Sequence, residues 1–383
     1  MLYDSLPDNV SSDQGCHRRF SPTGVRVEEV LLVVGHGNFS RSISLALNLA
    51  QAVDGIEITL LSYLGPCVSV EWDLSRFEQG LLAATVFTGE LVGSIILGVV
   101  SDIYGRRSAF LIGALLVSIC GLLSAVAPSF AWLIGFRFLV GVGAGGAEVP
   151  FDLLSELVAT PNRDSILMRA QGMWALGSLL IGMVAWLVLG MGWSWRFLAV
   201  AAAIPSLVVL YCFTFIPESP RWLVANGRFQ EAKDVLRLAA SYNGVDLGDF
   251  ELLPYEAICL EELWQSPELR RNSLSLWTLW GVTGFQYYGV ILLGASILGN
   301  GDTFEFDSFL LFVISTSELV AYIISMFCAD YIGIRKRLIG SFIAAGIASL
   351  LMPFGLGATW IASFAFLARG SAFLGSAFAW VTT

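Results

Sequence analysis

Ten stretches of this chain run for about twenty residues or more with few charges: 43–69, 77–100, 108–127, 131–155, 168–190 and 195–216, then 274–298, 308–329, 338–356 and 359–382. A helix rises about 1.5 Å per residue, so each stretch can cross a hydrocarbon core of roughly 30 Å, in which every backbone group must be bonded within its own helix. The pattern predicts an all-α membrane protein with about ten transmembrane helices. Composition agrees, at 56% hydrophobic and 14% charged residues, against roughly 25% charged in soluble domains. The net charge of −10 falls mostly in loops and argues for no nucleic-acid partner; the partner the apolar runs demand is the lipid bilayer.

Lysine and arginine set the orientation. Arg106, Arg107, Arg163, Arg335, Lys336, Arg337 and the central polar stretch lie on one side, and Glu71, Asp73, Glu78, Asp302, Glu305 and Asp307 on the other. By the positive-inside rule the N-terminus and the central stretch are cytosolic. The expected organisation is a cytosolic N-terminal segment over 1–42, an N-lobe of helices 1–6 over 43–216, a cytosolic helical linker over 217–273 and a partial C-lobe of helices 7–10 over 274–383. No cleavable signal peptide is expected, and the first membrane helix serves for targeting. Residues 25–36 predict a short interfacial helix. In the linker, Ala232, Val235, Leu236, Ala239 and Ala240 fall on one helical face, bounded by Gly227 and Gly244.

The six cysteines are scattered without metal-ligand spacing, and the two histidines, His17 and His36, lie outside the apolar runs. Neither a disulfide framework, a metal site, a cofactor nor an enzyme is indicated. GVGAGG at 141–146 lies inside an apolar run with no strand before it, so it reads as close helix packing rather than a dinucleotide loop.

The short turn SDIYGRR at 101–107 returns as ADYIGIRKR at 329–337, with one extra residue before the arginines. Glu90 and Glu318 each lie twelve residues ahead of their aspartates, Asp102 and Asp330, and Arg137 has a counterpart in Arg369. Three features in nearly one register indicate a duplicated six-helix unit, the plan of a two-lobed transporter with its site between the lobes. By that symmetry the last two of twelve helices are expected beyond Thr383.

Buried charges mark the candidate site. Asp54 and Glu57 share a helix face, and each would cost about 2.5–3.5 kcal/mol unpaired at the bilayer centre. Gly141, Gly145, Glu148, Asp152 and Glu156 follow Arg137 at helical spacing, an acidic stripe backed by small residues. Glu148 and Asp152 either select a cationic substrate or are paired structural charges. Glu90 and Glu318 lie about 18 Å from their loop aspartates, either lining a cavity or bonding between helices. Gln171, Trp174, Gln286, Tyr287 and Tyr288 offer the aromatic faces and oriented amides that a small organic ion requires, or are packing residues.

GVVSDIYGRR, RFLVGVGAGG with Glu156 and Arg163, and PESPRWL at 217–223 resemble the signatures of the major facilitator superfamily. VDGIEITLLSYLGP, FQYYGVILL and VEEVLLVVGHGNFS are most similar to the synaptic-vesicle-2-related and organic-ion branch. The resemblance implies secondary active transport of a small organic solute, an organic ion, by alternating access with protons as the coupling ion, in symport. The alternatives are a proton-linked or facilitative sugar porter and a non-transporting membrane scaffold. It further implies that Asp54, with Glu57, exchanges a proton against Arg137, that Glu318 lines the cavity with its repeat mate Glu90, and that Asp102, Gly105, Arg106, Arg107, Glu156, Arg163, Glu218, Arg221, Asp330 and Arg335 form a cytosolic gate. The plasma membrane or an organelle or vesicle membrane is the implied location.

Overall fold

The computed structural model describes residues 24–158, 163–254, 266–297, 308–328, 331–354 and 357–382. Among them the chain is almost wholly helical: α1 (Val27–Val34), α2 (Asn38–Trp72), α3 (Arg76–Tyr104), α4 (Arg106–Ala125), α5 (Phe130–Ala144), α6 (Val149–Leu157), α7 (Arg163–Gly190), α8 (Trp195–Phe213), α9 (Pro220–Ala225), α10 (Phe229–Asn243), α11 (Pro267–Ile297), α12 (Ser308–Phe327), α13 (Ile334–Leu351) and α14 (Ala358–Thr382). Nine candidate spans, one of them running from α5 through α6, are long and apolar enough to cross a membrane. The remaining predicted stretch, 274–298, is covered by α11, whose Thr278, Thr283, Gln286, Tyr287 and Tyr288 make it more polar.

The helix ends follow local chemistry. Ser75 starts α3 with a reciprocal capping box: its side chain accepts from the Glu78 amide at 3.3 Å, and the Glu78 carboxylate accepts from the Ser75 amide at 2.8 Å. Ser219 caps α9 by accepting from the Trp222 amide at 3.2 Å, with Pro220 in the first turn. Gly244 closes α10 in the left-handed conformation.

In one lobe α2 packs along α7, α3 along α5 and α4 along α8; in the other, α14 packs on α11, α12 and α13. The lobes meet where α7 crosses α12, α2 meets α11 and α14 touches α7. The α3–α5 seam is close enough to exclude side chains, since a Cβ at Gly141 would lie 2.1 Å from the Val86 carbonyl oxygen and one at Gly89 2.2 Å from that of Phe138. GVGAGG is thus a packing surface.

One expectation fails here. The helical spacing from Arg137 to Glu156 predicts one stripe along one helix, but the helical bonding loosens over 145–148 between α5 and α6. Two consecutive glycines have low helix propensity, and Pro150 lacks the amide that a continuous helix would bond. The break re-aims Glu148.

The amphipathic linker helix α10 buries Ala232, Leu236, Ala239 and Ala240, and α1 packs on it with Val30 fully buried. Asn243 pins the junction: its carbonyl oxygen accepts from the Phe39 amide at 3.1 Å while its amide donates to the carbonyls of Val34 and Gly35 at 3.0 and 3.3 Å. Residues 25–36 are therefore covered by the linker rather than lying free along an interface. α1, α9 and α10 lie together at one end of the bundle.

Candidate substrate cavity and its ion pairs

Two arginines lie fully inside the bundle. Arg137 on α5 donates from Nη1 to Glu57 Oε2 on α2 at 2.9 Å, with side chains 1% and 6% exposed. Asp54, one turn earlier, takes no part in this pair. Glu57, not Asp54, is therefore the acid that meets Arg137; Asp54, offset from it by about 60° on the same broad face of the helix, lines the space between the lobes.

Arg369 on α14 repeats the position of Arg137 but not its bonding. Its Nε donates to Glu318 Oε1 on α12 at 2.8 Å, and its Nη2 donates across the lobes to Ser178 Oγ at 2.9 Å and Thr59 Oγ1 at 3.3 Å. Tyr287 OH donates to the same Glu318 oxygen at 3.0 Å and accepts from Trp174 Nε1 at 2.7 Å. Glu318 is 0% exposed. It is thus enclosed by this network and is not among the residues lining the cavity, as the resemblance implied it would be; of its two alternatives, bonding between helices is the one the structure shows.

The cavity of about 460 Å³ lies between the lobes. Asp54, Glu90 and Glu148 line it, with Gln51, Gln171, Trp174, Tyr287 and Tyr288. Phe87, Trp280, Phe373 and Trp380 complete an aromatic wall. Tyr288 tilts against Phe87 at 4.8 Å between ring centroids. Trp380 joins Phe151 at 4.5 Å and Trp280 at 5.1 Å. Toward the opposite face, Trp186 stacks on Phe312 at 5.7 Å and meets Phe309 at 5.3 Å, holding α7 to α12. Among the described residues, no lysine or arginine lines the cavity.

Two predicted contacts are placed elsewhere. Gln286 points toward α13, where its Nε2 donates to the Phe342 carbonyl at 3.5 Å, because it is turned about 100° from Tyr287 on the helix. Asp152 is exposed and lies within the electrostatic field of Arg106 and Glu148 instead of lining the cavity; the break after α5 carries it away. Several wall residues were not anticipated from sequence. Gln51 was legible, one turn before Asp54 on the same face, whereas Trp280 and Trp380 required the lobes to be brought together.

The turn between α3 and α4 is a tight charge cluster. Arg106 pairs with Asp102 at 2.6 Å and lies 3.6 Å from Glu156. Arg107 donates to the Thr214 carbonyl at 2.5 Å, and Glu218 accepts from the amides of Arg107 at 3.2 Å and Ser219 at 2.9 Å, capping the start of α4. Gly105 has φ +99°, and a Cβ there would lie 2.1 Å from Glu218 Oε2. Arg221 is drawn instead to Glu28 before α2, at 3.0 Å. In the second lobe Arg335 is exposed, and Arg337 makes the contacts, 4.9 Å over the Phe378 ring and 3.5 Å to the Ser325 carbonyl. The extra residue before the arginines turns the echo by about 100°. Asp330 and the side chain of Arg163 lie outside the described residues.

Two lobes of long apolar helices about a central cavity, tied by buried charge pairs, define a multi-pass membrane protein of the major facilitator fold. Residues 43–380 match the sugar (and other) transporter family, to which the chain belongs.

The chain is 30% identical to the synaptic vesicle 2-related protein of Xenopus laevis over 90% of its own length and 67% of that protein. It is 31% identical to organic cation/carnitine transporter 7 of Arabidopsis thaliana over 71% of its own length and 62% of that protein. Its fold is similar to that of the xylose transporter XylE from E. coli in a partially occluded inward-open conformation, with a TM-score of 0.69 and 19% identity over 90% of this chain and 87% of that one. The chain thus spans about two thirds of the length of the two relatives compared by sequence.

Proposed function

We propose that the protein is a secondary active transporter that moves a small organic cation between its two lobes by alternating access, coupled to protons. The carrying observation is the cavity wall: three carboxylates and an aromatic surface, with no basic residue among the lining side chains. Carboxylates supply the counter-charge and aromatic faces add cation–π attraction for a cation that has left water. The relative named as an organic cation/carnitine transporter supports this reading.

The charge cluster around Asp102, Arg106, Arg107 and Glu156 acts as the cytosolic gate latch, with Glu218 fixing its helix end. Its arginines, with the lysine and arginines of the linker, support placing that face in the cytosol. Asp54, Glu90 and Glu148, together with Gln171, Trp174, Tyr287 and Tyr288, are the substrate contacts. A sugar is the second reading, favoured by Gln51 and Gln171, both 4% exposed at the cavity, whose amides suit hydroxyl groups.

Proteoliposomes separate the two readings. Uptake of radiolabelled tetraethylammonium, and its inhibition by other organic cations but not by hexoses or pentoses, is expected. Saturable sugar uptake with no cation uptake would refute the cation reading.

A further inference from the structure

Resting on the cation reading of the cavity, we infer that substrate and proton bind to the same carboxylate set, so the protein works as a proton–cation exchanger and not as a symporter. Asp54 from α2, Glu90 from α3 and Glu148 from the α5–α6 break line one cavity. Each lies in the field of the others: Glu90 acts on Asp54, and both act on Glu148. Three ionised acids in so small a space repel one another and need counter-cations.

Among the described residues, no lysine or arginine lines the wall. The titratable and charged groups around the three acids are Glu57 on α2, the element of Asp54, with Arg137 from α5, Asp152 from α6, Tyr287 and Tyr288 from α11, Glu318 from α12 and Arg369 from α14. Both arginines are committed, Arg137 to Glu57 and Arg369 to Glu318, Ser178 and Thr59. Asp152 adds a negative charge, and Tyr287 is held between Trp174 and Glu318.

Two buried side chains aim at the same space independently of the acids. Gln51 and Gln171 are each 4% exposed, line the cavity and make no hydrogen bond among the described residues. Their amide oxygens are free to accept from a bound ligand, which identifies this as a ligand site and not simply an acidic surface.

The empty cavity is therefore charge-balanced by protons on its acids, and a bound organic cation takes over that role. When the cation enters, a carboxylic O–H bond breaks, the proton passes to water, and the resulting carboxylate pairs with the cation. Protons that stay on the other acids in both the empty and the loaded state cancel over the cycle, so symport would require an acid that is ionised in the empty cavity and takes up a proton as the substrate binds. The remaining candidate, Glu57, cannot serve without leaving Arg137 buried and unpaired.

The test uses the full chain in detergent, weakly buffered near pH 6.5 with a pH-indicator dye and titrated with tetraethylammonium chloride, while equilibrium dialysis of the radiolabelled cation counts binding. Exchange predicts release of up to about one proton per cation bound, and apparent affinity that tightens by up to tenfold for each pH unit raised. Folded D54N/E90Q/E148Q, checked by gel filtration, is expected to release none. Saturable binding of the cation to the wild-type chain with no proton release, or with proton uptake, would overturn exchange and leave the cation reading intact. Absence of saturable binding would overturn the cation reading and the exchange with it.

Discussion

Replacing Glu57 by glutamine tests whether the Glu57–Arg137 pair is a structural fixture. At 2.9 Å and an effective dielectric near 20, the gross attraction is about 6 kcal/mol. Much of this offsets the desolvation of two ions whose side chains are 1% and 6% exposed. The net worth of the pair is therefore small, but the cost of halving it is not. Glu57→Gln leaves a guanidinium buried without a counter-charge, which costs about 3–5 kcal/mol. Nε and Nη2 of Arg137 already make no hydrogen bond to the protein, so the mutant has no internal partner in reserve. The double variant Glu57→Gln/Arg137→Met removes both charges and is expected to recover most of the loss. Reversible unfolding in mixed micelles gives the four free energies of the cycle. A double variant as unstable as the sum of the singles would refute the pairing argument.

Other perturbations have equally definite outcomes. Gly93→Ala places a Cβ 2.1 Å from the Val142 carbonyl, whereas Gly98→Ala on the same helix meets nothing within 4 Å; the first is expected to lose more than about 2 kcal/mol and the second to change by 0 to +1 kcal/mol in stability, read by thermal unfolding. Gly105→Ala combines a φ of +99° and ψ of 158° with a contact on Glu218, and Gly105→Ala/Glu218→Ala is expected to recover only the steric part, leaving about 1–3 kcal/mol of backbone cost. Asp102→Asn removes a pair whose acid is 75% exposed, so stability is expected to fall by less than about 1 kcal/mol, while cysteine-accessibility labelling of the cavity from the cytosolic side increases; unchanged labelling would count against the latch. Trp174→Phe deletes the 2.7 Å bond to Tyr287 at a cost of about 1 kcal/mol and is expected to weaken cation binding.

The helices were legible because the membrane imposes a coarse rule, twenty apolar residues, that sequence displays directly. The repeat was legible because its markers are charged residues in a background where charges are expensive. What the sequence did not show is how each charge is aimed. Asp54 and Glu57 differ by one helical turn, and the side that meets Arg137 depends on the placement of α2 against α5. The break after α5 was written in Gly145, Gly146 and Pro150, yet glycine is so frequent in close-packed membrane helices that its presence alone did not announce a discontinuity. The register of Glu318 was legible but its exposure was not, since the side chains that bond it come from positions 287 and 369.

The two buried arginines show how a duplication can divide its labour. Arg137 holds its acid within one half of the molecule, so rocking the halves apart leaves that bond undisturbed. Arg369 holds its acid within its own half but also reaches Thr59 and Ser178 in the other, and Tyr287 makes a parallel bond to Trp174. Any rigid-body separation at this level must break those cross-links together while both ion pairs survive. The first copy of the arginine thus became a keystone and the second a clasp. Because hydrogen bonds on a charged donor are worth roughly 1.5–3 kcal/mol each, the clasp alone can set the resting balance between the two orientations of the transporter, and exchanging Ser178 for alanine should shift that balance without touching a single residue at the cavity wall.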